Sequence, residues 1–446
     1  MMSNLNIITS TEVELYIESF NHYDFEEIGS SGWLLRHKRL QELSQQAVIE
    51  ASDYREEYVK NMFITLEKVP ELVYEAISIS VWRQKILPKL LDLRPEDCPT
   101  NLTVYIVLMH ELTAANLLET VMFHSDSCVQ LDDKIYDLLD YAAESVSVLI
   151  SLVSSGYKME GPLTTTAGLT NEEEFDYQKK HFQFQLGTLC TSILCYIVEH
   201  LPKLPVGVGA RLVVAQDLPL MMAELISLQM WVKQDDKGWH KYINGKWKHV
   251  TGGDIIKVAP VEGQIWICLR QLLLDQSVMS YYELSDFRRS RLSKVQRFLH
   301  DTFIDQLPPL CDLKHFLVTM SLTSQGEQSN KKAMLLEIVP EIKNDLLIKY
   351  RGKWKDIALK QAELLFRKDH EAMMDIAKTI SGSYSNEALE FFDQQGETIC
   401  GNCGKGASKK CSRCKGEWYC GRECQLQRWA LHKDICDQLV KEFTVK

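Results

Sequence analysis

From about residue 10 to residue 380, apolar residues recur three and four apart, the repeat that lines one face of a helix. Examples are LYIESFNHYDF, VYEAISISVWRQKILPKLLDL, LTAANLLETVMFH and YDLLDYAAESVSVLISLV. The pattern predicts a mainly α chain. An aliphatic residue followed by proline opens several of these stretches, at Val69-Pro70, Leu87-Pro88, Leu218-Pro219, Leu307-Pro308 and Val339-Pro340. Proline suits a helix's first turn because its missing amide has no intrahelical partner there.

KVPELVYEAI and DLPLMMAELI read like the packing helix of an armadillo-like repeat, yet no strict period joins these sites. The expected body is therefore an armadillo-like or irregular helical solenoid, with an irregular bundle as the alternative. Three interruptions divide it. Residues 154–174 are rich in Gly, Ser, Thr and acids and read as a flexible loop between an N-terminal helical region, 1–153, and a second one, 175–380. Asn244-Gly245 sits between short aromatic runs and predicts a hairpin near 239–250, whose Trp239, Tyr242 and Trp247 are expected to cap a helical core. An amphipathic helix with Trp354, Ile357, Ala358 and Leu365 on one stripe is followed by a linker, 381–399, a cysteine-rich module, 400–436, and a tail, 437–446.

The chain has 446 residues, 45% of them apolar, and a formal net charge of −11. That composition fits a packed, non-disordered protein of two or three domains. No basic start with an apolar run opens it, and the longest uncharged stretch, His181 to Val198, is too polar and short for a membrane span. A reducing, cytoplasmic address follows, in which clustered thiols bind metal rather than pair. Residues 395–446 carry ten Lys or Arg against six acids, +4, which leaves −15 for the rest. A surplus that small, in a module whose clustered cysteines carry negative charge wherever they bind metal as thiolates, is not the basic footprint of a nucleic-acid finger. A second basic run, Arg288, Arg289, Arg291, Lys294 and Arg297, reads as the solvated face of a helix that turns Phe287, Leu292, Val295, Phe298 and Leu299 toward a core.

Seven of the thirteen cysteines fall in the last forty-seven residues, and with one histidine they form C-x2-C-x7-C-x2-C-x5-C-x3-C-x7-H-x3-C. The donors are Cys400, Cys403, Cys411, Cys414, Cys420, Cys424, His432 and Cys436, enough for two tetrahedral zinc shells. Spacing alone leaves open which pairs share an ion. Four protein donors per ion leave no position for substrate or water, so the zincs are expected to be structural. The other six cysteines, Cys98, Cys128, Cys190, Cys195, Cys268 and Cys311, read as small core hydrophobes. No catalytic signature accompanies them: His110-Glu111 lacks the second histidine of a zincin, and there is no Walker loop or dinucleotide fingerprint.

The spacing, with Tyr419-Cys420 and Cys424-Gln425-x3-Trp429, resembles a MYND-type zinc finger. The resemblance implies interleaved sites: Cys400, Cys403, Cys420 and Cys424 on one zinc, Cys411, Cys414, His432 and Cys436 on the other. It also implies a groove for short proline-containing peptides at Ser412, Gln425 and Trp429. The helical phrases NLLETV, GQIWICLRQLLL, DQLPPL, IVPEI and RGKW extend the similarity over nearly the whole chain. The family they resemble implies a non-enzymatic cytoplasmic adaptor for preassembly of axonemal dynein arms in motile cilium biogenesis. Its expected partners are chaperones and co-chaperones, other assembly factors including a leucine-rich-repeat protein, and dynein chains as clients. Two other MYND contexts are weighed against it. A corepressor adaptor calls for nuclear-localisation clusters, and a lysine methyltransferase for a methyl-donor segment; neither is evident in the sequence.

Overall fold

The computed structural model describes residues 7–95, 102–158, 170–235, 238–322, 340–366, 400–407, 409–414 and 417–443. These are mainly α, with five short strands among them, and the chain passes between two compact units at Gln216 and Asp217. Cys98, Val339 and the 381–399 linker lie outside the described residues.

The first unit is helical throughout its described residues. Its centre is the helix Leu102–Met122, packed against Ser31–Ser52, Val69–Lys85 and Asn171–Glu199. Val104, Ile106, Val107, Leu108, Ala114, Ala115, Leu117, Leu118 and Val121 are all buried, so this helix is apolar nearly all round, as a core helix must be. Pro70 and Pro88 stand in the first turns of Val69–Lys85 and Leu87–Asp92. The acidic run Glu172–Glu174, read from composition as loop, forms the first turn of Asn171–Glu199. There Thr170 and Glu173 make a reciprocal cap and the carboxylates face the helix's positive end. The uncharged stretch 181–198 is buried inside that helix, and among the described residues no helix is long and apolar enough to cross a membrane.

Helices Glu341–Lys349 and Trp354–Leu365 return to this unit. Trp82 Nε1 donates to Gln361 Oε1 at 2.8 Å, and Gln361 Nε2 donates to Phe25 O at 3.0 Å. Ile357, Ala358 and Leu365 are buried on the expected stripe, with Trp354 at its edge. His110 and Glu111 are both fully buried and held structurally. His110 Nε2 is 2.9 Å from Glu75 Oε2, and Arg83 donates twice, at 2.9 Å, to Glu111. Cys128 and Cys190 are buried and burial pushes both thiols up to about 12, which makes them inert packing groups.

The second unit combines helices Leu218–Leu228, Pro260–Leu274, Asp286–Ser293 and Leu310–Leu322 with an antiparallel sheet, β1 (Val232–Asp235), β2 (Gly238–Ile243) and β3 (Lys246–Val250), in that order. Asn244 and Gly245 turn β2 into β3 with φ of 52° and 77°, the left-handed pair a two-residue hairpin turn demands. The register sets Trp239 opposite Val250 and Tyr242 opposite Trp247.

Three residues of the basic run are tied down within this unit, two of them by carboxylates, while Lys294 and Arg297 are exposed. Arg288 donates to Asp217 at 2.8 Å, Arg289 to the carbonyls of Leu284 and Met320, and Arg291 pairs with Glu224 at 3.2 Å. Leu292, Val295 and Leu299 are buried as expected. Phe287 is 60% exposed instead, and its ring lies under Arg291. Cys311 is also exposed, 3.8 Å from His315, and is not a core hydrophobe.

The second unit also holds β4 (Lys409–Lys410), β5 (Trp418–Tyr419) and the helix Arg422–Phe443, which runs on through most of the segment read as a tail.

Candidate metal centre

Two knuckles, one short hairpin and one helix bring the eight donors together. Gly404 N donates to Cys400 O at 2.9 Å with Gly404 at φ 72°, closing the first C-x2-C turn. The second C-x2-C turn spans Cys411–Cys414, and Cys411 N donates to Glu417 O at 2.9 Å across the end of the β4–β5 hairpin. Cys424, His432 and Cys436 project from the Arg422–Phe443 helix, His432 and Cys436 one turn apart on one face.

The donor atoms form two sets. Cys400, Cys403, Cys420 and Cys424 make one, and Cys411, Cys414, His432 and Cys436 the other, with the donor atoms of each within 4.8 Å of one another. The sites interleave. Separations within the sets test the fit to zinc: Cys403–Cys420 3.5 Å, Cys420–Cys424 3.4 Å, Cys411–Cys436 4.0 Å and Cys414 Sγ–His432 Nε2 3.4 Å. A tetrahedron with zinc–sulfur bonds of about 2.3 Å has sulfur–sulfur edges of about 3.8 Å, and replacing one sulfur by nitrogen shortens the edge to about 3.5 Å. The arrangement therefore fits two zinc ions, one in four thiolates and one in three thiolates and an imidazole. Each ion would be coordinatively closed. The protein supplies shape here, and the metal holds it, with apparent binding energies of about 10–16 kcal/mol per structural site.

The second set is the more enclosed. Cys411, Cys414, His432 and Cys436 are all buried, whereas Cys403 and Cys420 are exposed. They share a core with Tyr419 and with Trp239, Val250 and Ile255 from the three-stranded sheet and the turn after it. Trp239 thus packs on the zinc module, not on a helical core as its aromatic company implied. Its neighbour Tyr242 is buried, with its ring centroid 5.5 Å from that of Trp247.

Sequence reasoning missed Glu417, which is 4% exposed. It contacts His432 Nδ1 through Oε2, and its Oε1 is 3.5 Å from Arg428 Nε. Burial opposes its charge, yet the contact with His432 and the positive charge of Arg428 hold its carboxyl below the ordinary carboxylate value. No spacing rule marks a carboxylate three residues before a ligand.

The three positions that the resemblance gives to a peptide groove lie on the second knuckle and on the helix that follows β5. Ser412 is exposed at the tip of its knuckle, and Gln425 is half-buried in the first turn of the helix. Trp429 is half-buried, its ring edge-on to His432 with centroids 5.9 Å apart, so one side of it packs on the centre.

Comparison with known proteins follows this geometry. The MYND finger family matches residues 400–436. No solved structure matches the chain. The Arabidopsis thaliana protein "Histone-lysine N-methyltransferase ASHR1" is 46% identical over 46 residues, only 10% of either chain. The Drosophila melanogaster "Zinc finger MYND domain-containing protein 10 homolog" is 34% identical over 454 aligned residues, covering 97% of this chain and 99% of the fly protein. Helical body and finger therefore match together and in order, and the chain belongs to the zinc finger MYND domain-containing protein 10 family.

Proposed function

We propose that this chain is a non-enzymatic cytoplasmic adaptor for the preassembly of axonemal dynein arms, in which a helical body and a two-zinc finger present protein-binding surfaces. The observation that carries the adaptor reading is the closed donor set: with four protein ligands per ion, neither metal has a position for substrate. The dynein assignment rests on the end-to-end resemblance of the chain to a family of assembly factors. Its partners would be chaperones, other assembly factors including a leucine-rich-repeat protein, and dynein chains. Ser412, Gln425 and Trp429 are the proposed peptide contacts, where strand addition supplies main-chain bonds and an aromatic anchor supplies affinity. Similarity to the methyltransferase stops at the finger, which favours an interaction role over a methyl-transfer one.

The test is affinity capture of the full-length chain from ciliated cells, beside a Gln425→Ala, Trp429→Ala double variant that retains both zincs. Dynein chains, chaperones and assembly factors should come down with the wild type, and a subset should be lost with the variant. Recovery of chromatin regulators from a nuclear pool would replace this reading with a corepressor adaptor.

A further inference from the structure

Glu417 stands where three parts of the centre meet. Its Oε2 lies against Nδ1 of His432, and the other ring nitrogen of that histidine, Nε2, is 3.4 Å from Cys414 Sγ. Its Oε1 fills the space over Gly401, in the first knuckle: a Cβ built on Gly401 would stand 2.3 Å from it. Gly252, at φ 56° in the turn after β3, approaches from the third side, with a Cβ position 3.5 Å from the carboxylate. Gly401 leaves room that this side chain occupies, and Gly252 borders it at ordinary contact distance.

A buried carboxylate beside clusters of thiolates is electrostatically unfavourable unless something specific compensates it. Arg428 is 40% exposed on its side chain and answers only part of that charge from the solvent side. At the buried end the compensating groups are the imidazole and the hydroxyl of Tyr419. A metal-bound histidine whose second nitrogen donates to a carboxylate is fixed in one tautomer and one ring orientation, and its ligating nitrogen becomes a better donor.

We propose that Glu417 is the outer-sphere positioning residue of the Cys411, Cys414, His432 and Cys436 zinc site. It accepts from Nδ1–H of His432 so that Nε2 faces the three thiolates, and by filling the hollow over Gly401 it ties that geometry to the Cys400–Cys403 knuckle. The inference rests on the two zinc sets and is independent of the proposed role in dynein assembly.

The full-length chain loaded with cobalt provides the test, since four-thiolate and three-thiolate–imidazole centres have different visible spectra. Glu417→Gln keeps the shape and removes the charge. Metal affinity of the histidine-containing site should fall about 10- to 100-fold, with the four-cysteine site unchanged. Wild-type affinity at the histidine site, or an equal fall at both sites, would overturn the assignment. A second measurement needs no variant: nitrogen NMR of the zinc-loaded wild type should show His432 protonated at Nδ1 and metal-bound at Nε2. The opposite tautomer, or a doubly protonated ring, would refute it.

Discussion

Trp239 Nε1 donates to the carbonyl oxygen of Cys414 at 3.3 Å, across 175 residues of sequence. The three-stranded sheet is thereby joined to the second zinc knuckle, and the buried indole shares a core with four of the eight zinc ligands: Cys400, Cys411, Cys414 and Cys436. The finger is part of a larger folding unit.

A substitution in the sheet should consequently be felt at the metal. Trp239→Ala removes a buried aromatic and should destabilise the second unit by about 3–5 kcal/mol. Trp239→Phe keeps most of the packing and loses chiefly the hydrogen bond, about 0.5–1.5 kcal/mol. Chemical denaturation followed by zinc release to a coloured chelator measures both effects, with faster release expected in the order wild type, Phe, Ala.

This relationship marks the boundary of what the chain reveals unaided. Helix periodicity, first-turn prolines and Asn244-Gly245 are local signals, and each is visible within a few residues. The donor set is nearly as local, because C-x2-C and H-x3-C are consequences of turn and helix geometry. The partners of Trp239 and Glu417 are not local. An aromatic in a hairpin carries no mark of the surface it will cover, and a single glutamate in a basic segment looks solvated until Gly401 is seen to make room for it. β1 was invisible for a similar reason: VKQD has no apolar alternation, and its strand state comes from pairing with β2.

The crossed pairing of the ligands predicts an asymmetric outcome for single substitutions. Cys420→Ala should abolish the four-cysteine site and leave the site that contains His432. In the cobalt-loaded full-length variant, the remaining spectrum should be that of three thiolates and an imidazole. A remaining all-thiolate spectrum would mean that the knuckles pair in sequence order.

In the first unit, the buried ion pair should be costly to break singly. Arg83 meets both oxygens of the fully buried Glu111, and Tyr141 Oη donates to Glu111 Oε1 at 3.2 Å, with only the Arg83 side chain partly open to solvent. Arg83→Met leaves a buried carboxylate uncompensated and should cost about 3–5 kcal/mol. The double variant Arg83→Met, Glu111→Leu should lose less than the single one. Denaturant unfolding of the two variants and wild type completes the comparison.

Acid should weaken the same unit through His37. It is fully buried among Trp33, His110 and the Arg36–Glu75 pair, with its Nδ1 3.1 Å from His110 Nδ1. Burial, with His110 adding to it, pushes the imidazole well below its ordinary value. The unfolded chain then binds a proton that the folded one refuses, so stability rises with pH in this window. It is lost as pH falls from about 6.5 toward the folded value, with a limiting slope of about 1.4 kcal/mol per pH unit. Denaturant unfolding of the full-length chain should show lower stability at pH 5.5 than at pH 7, and His37→Asn should flatten that dependence.

The claim on which the rest depends is that eight side chains from one short module hold two metal ions in closed, interleaved shells. Native mass spectrometry of the intact full-length chain, purified without chelator, tests it directly. The chain mass plus two zinc ions is the predicted result, with His432→Ala retaining one. A fully folded wild-type protein that carries one zinc or none would contradict it.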